Sequence, residues 1–251
     1  MRSGEDVAAN LTSAETLVRN AARAGAQFVA LPECMVFLKA EGEKAPEAQS
    51  IAGPWANRFS DLARELKITI LMGSFPETAD ETGRPYNTTI LFGPTGERVA
   101  AYRKMHLFDI DVPGMEHLKE SKATTPGTEI VVADAGFAKL GLSICYDLRF
   151  GELYRALVAR GASLLTIPSA FTAVTGRAHW EILVRARAIE SQAFVVAPGQ
   201  HGEHGDSGLR ESHGHSLIVD PWGRILAEAP DGAIWLLEDG DGARLLELRP
   251  A

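Results

Sequence analysis

Cys145 closes an apolar run, Gly141-Leu142-Ser143-Ile144, and Tyr146-Asp147-Leu148-Arg149-Phe150 follows at once. In an α/β fold, strands deliver their last side chains into a crevice at the carboxyl ends, where ligands bind. The 251 residues contain two cysteines, Cys34 and Cys145. Cys145 is therefore the first candidate nucleophile. A thiol nucleophile needs a proton acceptor, a positive charge or donor for the oxyanion, and a proton for the leaving group. Two other strand ends offer matching groups. Glu33 follows Phe28-Val29-Ala30-Leu31-Pro32, and Lys104 follows Val99-Ala100-Ala101-Tyr102-Arg103. Side by side, these strands would bring one carboxylate, one ammonium and one thiol into a single crevice. The ammonium would favour thiolate and the carboxylate would hold the proton, so the three would titrate together. Taken singly, a cysteine at a strand end reads as a small buried hydrophobe, and Glu33 and Lys104 as solvated charges. Cys34 reads as a packed small side chain.

The elements that must position these groups alternate between helix and strand. Apolar spacing predicts a helix from about Ala8 to Ala24, stopped by Gly25, and another after Pro54. Short strands are expected at Phe28–Leu31, Ile68–Met72, Lys139–Ile144, Leu164–Ile167 and Phe194–Ala197. Helices are expected at Glu152–Ala159 and Ala178–Ser191. Pro94-Thr95-Gly96-Glu97 and Asp220-Pro221-Trp222-Gly223 mark two hairpins. Arg103–Thr128 is polar, lacks periodicity and is too long for an ordinary connector, so it reads as functional. A polar loop rich in His and Gly is expected from Gly199 to Gly214, and one or two strands from Ala233 onward. The fold class is α/β: a mixed sheet, or two sheets, with helices outside.

Composition narrows the function. Apolar residues make up 45% and charged residues 23%, ordinary for a globular protein, and the whole chain reads as one domain, 1–251. The net charge of −8 argues against nucleic acid or an anionic membrane as partner. Apolar runs are short and broken, so no transmembrane helix is expected, and no signal peptide is read at the N-terminus. Two cysteines far apart make no disulfide framework, which points to a reducing cytoplasm.

The ordered motifs are specific. Leu31-Pro32-Glu33, Tyr102-Arg103-Lys104-Met105-His106-Leu107-Phe108 and Cys145-Tyr146-Asp147-Leu148-Arg149-Phe150 resemble the Glu, Lys and Cys signatures of the nitrilase superfamily of carbon–nitrogen hydrolases. Asp109-Ile110-Asp111-Val112-Pro113-Gly114 with Glu120-Ser121 resembles its loop bearing a second glutamate. Pro168-Ser169-Ala170-Phe171-Thr172, Thr175-Gly176-Arg177-Ala178-His179-Trp180, Gly214-His215-Ser216 and Asp220-Pro221-Trp222-Gly223 complete the order. The resemblance implies a four-layer αββα sandwich and an amidase of the EC 3.5.1 type. It implies Glu33 as general base and Cys145 as the nucleophile that forms a thioester and releases ammonia. Lys104 would stabilise the oxyanion with the Tyr146 N–H, and Glu120 would position substrate or assist proton transfer. Tyr146, Phe171, Thr172 and Arg177 would bind substrate, Arg177 as a weak candidate for a carboxylate. No cofactor and no metal are implied. The partners would be a small amide and further copies of the chain in a homodimer or higher oligomer. The stretches 170–180 and 185–190 look most like the branch of deaminated glutathione amidase, ranked first, and omega-amidase on 2-oxo-dicarboxylate monoamides, ranked second. Nitrile and N-carbamoyl hydrolysis rank lower.

Rival readings remain open at this point. His201, His204, His213 and His215 cluster in one stretch as a candidate metal site. Gly205-Asp206-Ser207-Gly208 looks like a serine-protease string, read as chance. A Cys–His enzyme needs His106 or His179 to meet Cys145. A catalytically weak binding or assembly module on the same fold is the alternative of another class. Arg149 reads as a structural ion pair at the edge of the site, and His179 and Trp180 as packing. Against the family pattern, no strand is read before the first helix; either the start lies upstream or the neighbours of that strand would be left unpaired. The C-terminus is short, Gly151 replaces a common proline, and His213 replaces a tyrosine.

Overall fold

Asp6 caps the first helix: its carboxylate accepts the Ala9 N–H at 3.0 Å. The computed structural model describes residues 1–38, 47–79, 83–110, 118–204, 211–229, 233–239 and 242–248. The first half runs α1 (Val7–Arg23), β1 (Phe28–Ala30), α2 (Pro54–Leu66), β2 (Thr69–Leu71), β3 (Phe75–Glu77), β4 (Tyr86–Phe92) and β5 (Arg98–Arg103). Two short strands follow, β6 (Asp109–Ile110) and β7 (Leu118–Lys119), then a 3-10 turn at Glu120–Lys122. The second half runs β8 (Val132–Asp134), β9 (Lys139–Leu142), a 3-10 turn at Cys145–Arg149, α3 (Gly151–Ala159), β10 (Leu164–Thr166), α4 (Ala173–Ser191) and β11 (Phe194–Ala197). It closes with β12 (His201–Glu203), β13 (Glu211–His213), β14 (Ser216–Val219), β15 (Ile225–Ala229), β16 (Ala233–Asp239) and β17 (Gly242–Leu248).

These form two main sheets. The first has the order β17-β16-β1-β2-β4-β3, with β5 also paired to β4; the second is β15-β14-β11-β10-β9-β8. The β1–β2 pair and the β9–β10–β11 set are parallel, and their flanking partners are antiparallel. Strand alternation sorts the apolar side chains. Val29, Ile70 and Ile90 pack with Leu11, Val18, Phe59 and Leu62 of α1 and α2. Phe28, Leu71, Leu91 and Tyr102 face the other way, into one core with Leu140, Leu165 and Val195 of the second sheet. That core continues to Leu157 of α3 and Val184 of α4. The layers are helix, sheet, sheet, helix, as the resemblance implies.

Several boundaries differ from the sequence reading. α4 starts at Ala173, five residues before the expected Ala178, because the Thr172 side chain caps it. The loop expected over Gly199–Gly214 carries the hairpin β12–β13, and the aperiodic Arg103–Thr128 stretch carries β6–β7. Strands of two or three residues are too short to show a period. Among the described residues no strand precedes α1, yet β1 is not left open. Its edge pairs antiparallel with β16 at Phe28↔Leu236, and β2 takes the other side. Met1–Gly4 is bonded to both halves: the Met1 carbonyl accepts the His201 N–H at 3.1 Å and the Ser3 N–H reaches Gln200 Oε1 at 3.0 Å, while the Gly4 N–H reaches Asn10 Oδ1 at 2.9 Å. Gly151 opens α3, where an added Cβ would lie 3.2 Å from Arg187 Nη1. The residue in place of the common proline thus admits the guanidinium that bonds the Leu148 carbonyl at 2.9 Å.

Candidate active site

The strand ends aim three loops into one crevice, but the thiol does not ride on its strand. β9 stops at Leu142, and Cys145 sits three residues later at the head of a 3-10 turn with φ 50°. That backbone region is sparse for any residue but glycine. The turn is pinned on both sides. Ser143 N donates to the Thr166 carbonyl at 3.2 Å, and Cys145 N to the Pro168 carbonyl at 2.9 Å. Glu33 also follows its strand by three residues. Beneath it Gly73 turns the chain with φ 49°, where an added Cβ would meet the Pro32 carbonyl at 2.2 Å. Lys104 follows β5 directly, its N–H held by the Asn87 carbonyl at 2.9 Å.

Lys104 is the centre of the cluster and is 2% exposed. Its Nζ lies 2.9 Å from Glu33 Oε1, 2.9 Å from Glu120 Oε2 and 3.2 Å from Glu120 Oε1. Glu33 is buried. Its Oε1 also accepts Asn87 Nδ2 at 3.0 Å, and its Oε2 accepts the Ala170 N–H at 2.9 Å. Glu120 accepts the Phe108 N–H at 2.7 Å on Oε2 and Asn87 Nδ2 at 3.4 Å on Oε1. Burial works against the charge on Lys104, but Glu120, Glu33 and Cys145 outweigh it and hold its pKa well above the ordinary lysine value. Burial, then the charge of Glu33, push the Cys145 thiol well above its ordinary value against the pull of Lys104; the thiol is hydrogen-bonded to Glu33. At rest Cys145 is a neutral thiol.

Asp147 locks the frame. It is fully buried and accepts from Ile144 N at 2.9 Å, Tyr102 Oη at 2.7 Å and His106 N at 3.0 Å, with His106 Nδ1 at 2.6 Å. Tyr102 and His106 flank Lys104, so one carboxylate ties the lysine segment to the cysteine turn. His106 stacks on Phe150 at 3.7 Å and is committed to Asp147, and His179 Nδ1 lies 3.2 Å from Arg149. Neither is brought to Cys145 by these contacts, so nothing favours the Cys–His reading.

The expected substrate-lining residues divide. Tyr146 is half-buried, edge-on to Phe108 at 5.1 Å and to Phe150 at 5.7 Å. Its N–H has no acceptor among the described residues. Phe171 is buried against Trp180, with ring centroids 4.9 Å apart. Thr172 serves as the cap of α4, its Oγ1 accepting the Thr175 N–H. Arg177 is exposed and pairs with Glu211 at 3.4 Å. Arg149 differs from its expectation: it pairs with no carboxylate among the described residues. Its guanidinium instead lies 5.7 Å from the ring centroids of both Tyr146 and Phe171.

Sequence reasoning missed Asn87, Ala170, Asp147 and Gln200. Gln200 is buried and donates from Nε2 to the Glu33 carbonyl at 2.9 Å and to Ser3 Oγ at 2.7 Å. Asn87, a residue depleted in strands, was the readable signal. Ala170 acts through its backbone and leaves no side-chain signal. The histidines do not converge on one point. His204 is fully buried between the Ser3 carbonyl at 2.7 Å and Ser212 Oγ at 2.8 Å. His213 stacks on His215 at 4.4 Å, and His215 pairs with Glu228 at 2.5 Å. Among the described residues no group of three His, Cys, Asp or Glu is arranged to hold a metal ion. Gly205-Asp206-Ser207-Gly208 and 111–114 lie outside the described residues. No described helix is long and apolar enough to cross a membrane.

Residues 1–237 match the family profile described as Carbon-nitrogen hydrolase. The chain is 43% identical over 252 residues to the deaminated glutathione amidase of Synechocystis sp., covering 99% of this chain and 92% of that protein. It is 42% identical over 242 residues to the omega-amidase NIT2 of Homo sapiens, covering 96% of this chain and 86% of that protein. Among solved structures, Saccharomyces cerevisiae Nit3, a member of branch 10 of the nitrilase superfamily, matches with a TM-score of 0.81 at 34% identity. That match covers 92% of this chain and 83% of the other.

Proposed function

The chain belongs to the carbon–nitrogen hydrolase family, and on that premise we propose that it is a thiol amidase in which Cys145, Glu33, Lys104 and Glu120 carry the reaction. The observation that carries this reading is the single ammonium of Lys104 held at 2.9 Å from both glutamates, with the Cys145 thiol bonded to one of them. A neutral buried thiol needs a general base. Oε1 of Glu33 is taken by Lys104 and Asn87, so Oε2 is the atom that accepts the Sγ proton. Sγ attacks the amide carbon, and negative charge moves to the carbonyl oxygen. The ammonium of Lys104, held against both glutamates, supplies the positive charge that stabilises the oxyanion. The unoccupied Tyr146 N–H is the second donor. Collapse breaks the C–N bond as Glu33 returns its proton to nitrogen, giving ammonia and a thioester. Water, losing a proton to Glu33, then releases the acid and the thiol. Glu120 holds Lys104 in place through both its oxygens.

The substrate is a small primary amide bearing a carboxylate, with deaminated glutathione first and a 2-oxo-dicarboxylate monoamide second. The relatives' names support this order. Arg149 supports the carboxylate, because a guanidinium with no carboxylate partner among the described residues is set over the two rings expected to line substrate. Arg149 thereby takes the role expected of Arg177. The test is ammonia release from deaminated glutathione, 2-oxoglutaramate and simple neutral amides, with Cys145→Ala as control. Release by the wild type alone is expected. Equal release by both proteins overturns the thiol mechanism, and none from a folded wild type favours a binding module. A homodimer or higher oligomer in the cytoplasm completes the proposal. Ile182, Ile189 and Trp222 are 69%, 52% and 87% exposed, and light scattering reads the mass.

A further inference from the structure

Glu33 and Glu120 place two carboxylates on one buried ammonium, so the cluster holds one negative charge more than Lys104 can balance. Like charges at this range raise each other's proton affinity unless neutral donors hold them. Asn87, near the start of β4, is that donor. Its Nδ2 carries two N–H bonds and lies 3.0 Å from Glu33 Oε1 and 3.4 Å from Glu120 Oε1. Its backbone carbonyl takes the Lys104 N–H at 2.9 Å. One residue thus touches both carboxylates and the backbone of the lysine between them, and adds no charge.

The register explains how it gets there. Asn87 pairs with Pro76 of β3, and Thr88 pairs with Arg103, the residue before Lys104. Thr88 is in turn anchored through Oγ1 to the buried Glu77 at 2.6 Å. The backbone of Asn87 is therefore fixed.

We propose that Asn87 is a positioning residue for the hydrolysis: its side-chain amide bridges Glu33 and Glu120 and thereby sets which oxygen of Glu33 is the base and how tightly it holds the proton. With Oε1 holding two donors and Oε2 only the Ala170 N–H, the proton is exchanged at Oε2. Removing the amide frees Oε1 to compete for that proton and makes Glu33 more basic. The base then accepts the thiol proton readily but returns it poorly to the leaving nitrogen. The inference rests on the reading of Glu33 and Cys145 as base and nucleophile.

The test compares wild type with Asn87→Ser, which keeps a small polar side chain, and Asn87→Asp, which replaces the donor by a third carboxylate. Two readouts are taken on proteins shown to melt cooperatively. The first is the pH dependence of kcat/KM for ammonia release. The second needs no amide substrate: alkylation of Cys145 by iodoacetate, which has no amide bond, from pH 5 to 10, followed on its own peptide to separate it from Cys34. Asn87→Ser is expected to lower kcat/KM about 10- to 100-fold, the effect of losing a hydrogen bond to a charged group. Its acid limb is expected to move to higher pH. Asn87→Asp is expected to lose more and to raise the alkylation midpoint by at least about one pH unit. A fall in kcat/KM with both pH profiles unmoved would show a merely structural role and overturn the proposal. So would profiles and rates that match wild type. If wild type hydrolyses no amide, the functional reading fails, while the alkylation midpoint still tests the bridge. If Asp does not fold, Ser alone decides, because both profiles must shift in it.

Discussion

Two regions of this chain gather residues able to do chemistry, and only one of them converges. Glu33, Lys104, Glu120 and Cys145 are spread over more than a hundred residues of sequence, yet they meet around one ammonium. His201, His204, His213 and His215 fall within fifteen residues and go separate ways. His204 is locked between Ser3 and Ser212, and His215 is turned to Glu228. The difference lies in what holds the backbone. In the crevice, loops leave β1, β5 and β9 in a common direction, and register fixes where each ends. In the histidine stretch His213 stacks on His215, but His204 is bonded to Ser3 and Ser212 and His215 to Glu228, so among the described residues closeness in sequence assembles no group of three ligands.

The comparison can be broken at its centre. Lys104→Met leaves the buried Glu33 and the half-buried Glu120 without their cation. We expect destabilisation by about 3–5 kcal/mol in urea unfolding and a loss of at least about 100-fold in kcat. A stable, active variant would mean that convergence is incidental. At the rim of the crevice, Arg149→Ala is expected to raise KM about tenfold or more for carboxylate-bearing amides. Steady-state rates on neutral amides should stay near wild type, and an equal loss on both classes would remove Arg149 from substrate recognition.

The dispersed region should answer to stability and not to rate. His204→Ala leaves the Ser3 carbonyl and Ser212 hydroxyl short of a buried partner, at a cost of about 1–3 kcal/mol. Its kcat/KM should remain within about threefold of wild type when assayed below its melting temperature, and treatment with a chelator should change neither protein. Loss of activity with the chelator, restored by zinc, would make the histidines a metal site after all.

The smallest effect is a matter of pH. Folding raises the Cys145 thiol above its ordinary 9.0, so folding favours the protonated form. The stability this gives is complete below about pH 9 and is lost as pH climbs toward the folded value. Lys104, raised from 10.5, acts with the same sign but only at higher pH. The unfolding free energy of wild type in urea should therefore begin to fall above pH 9, by up to about 1 kcal/mol at pH 10. Cys145→Ala should stay level over that interval. Parallel curves would show that the thiol is not held protonated by the fold.

Much of this was legible in the residues. α1 and α2 follow from periodic apolar faces with Asp6 and Pro54 at their starts. Cys145, Glu33 and Lys104 stood out as chemistry-bearing residues at the ends of apolar runs, and the order of the motifs assigned their family. Less was legible wherever elements are only two or three residues long, as with β3, β8 and β12–β13. Arg149 and Arg177 show the limit for single side chains. Both are arginines near the crevice in sequence, and only packing set one over two aromatic rings and the other against Glu211.

The sequence by itself determined which groups were available: one thiol in the right context, two glutamates, one lysine, and the periodicities that build two helix-covered sheets. Those are properties of residue type and local spacing. Tertiary structure decided the rest. It turned Cys145 off its strand into a left-handed backbone conformation, made Asn87 and the Ala170 N–H partners of Glu33, and paired β16 with the edge of β1. Each depends on contacts between segments far apart in the chain. Their energies come from burial and from hydrogen bonds that exist only once both sheets are assembled, and no local pattern encodes those partners.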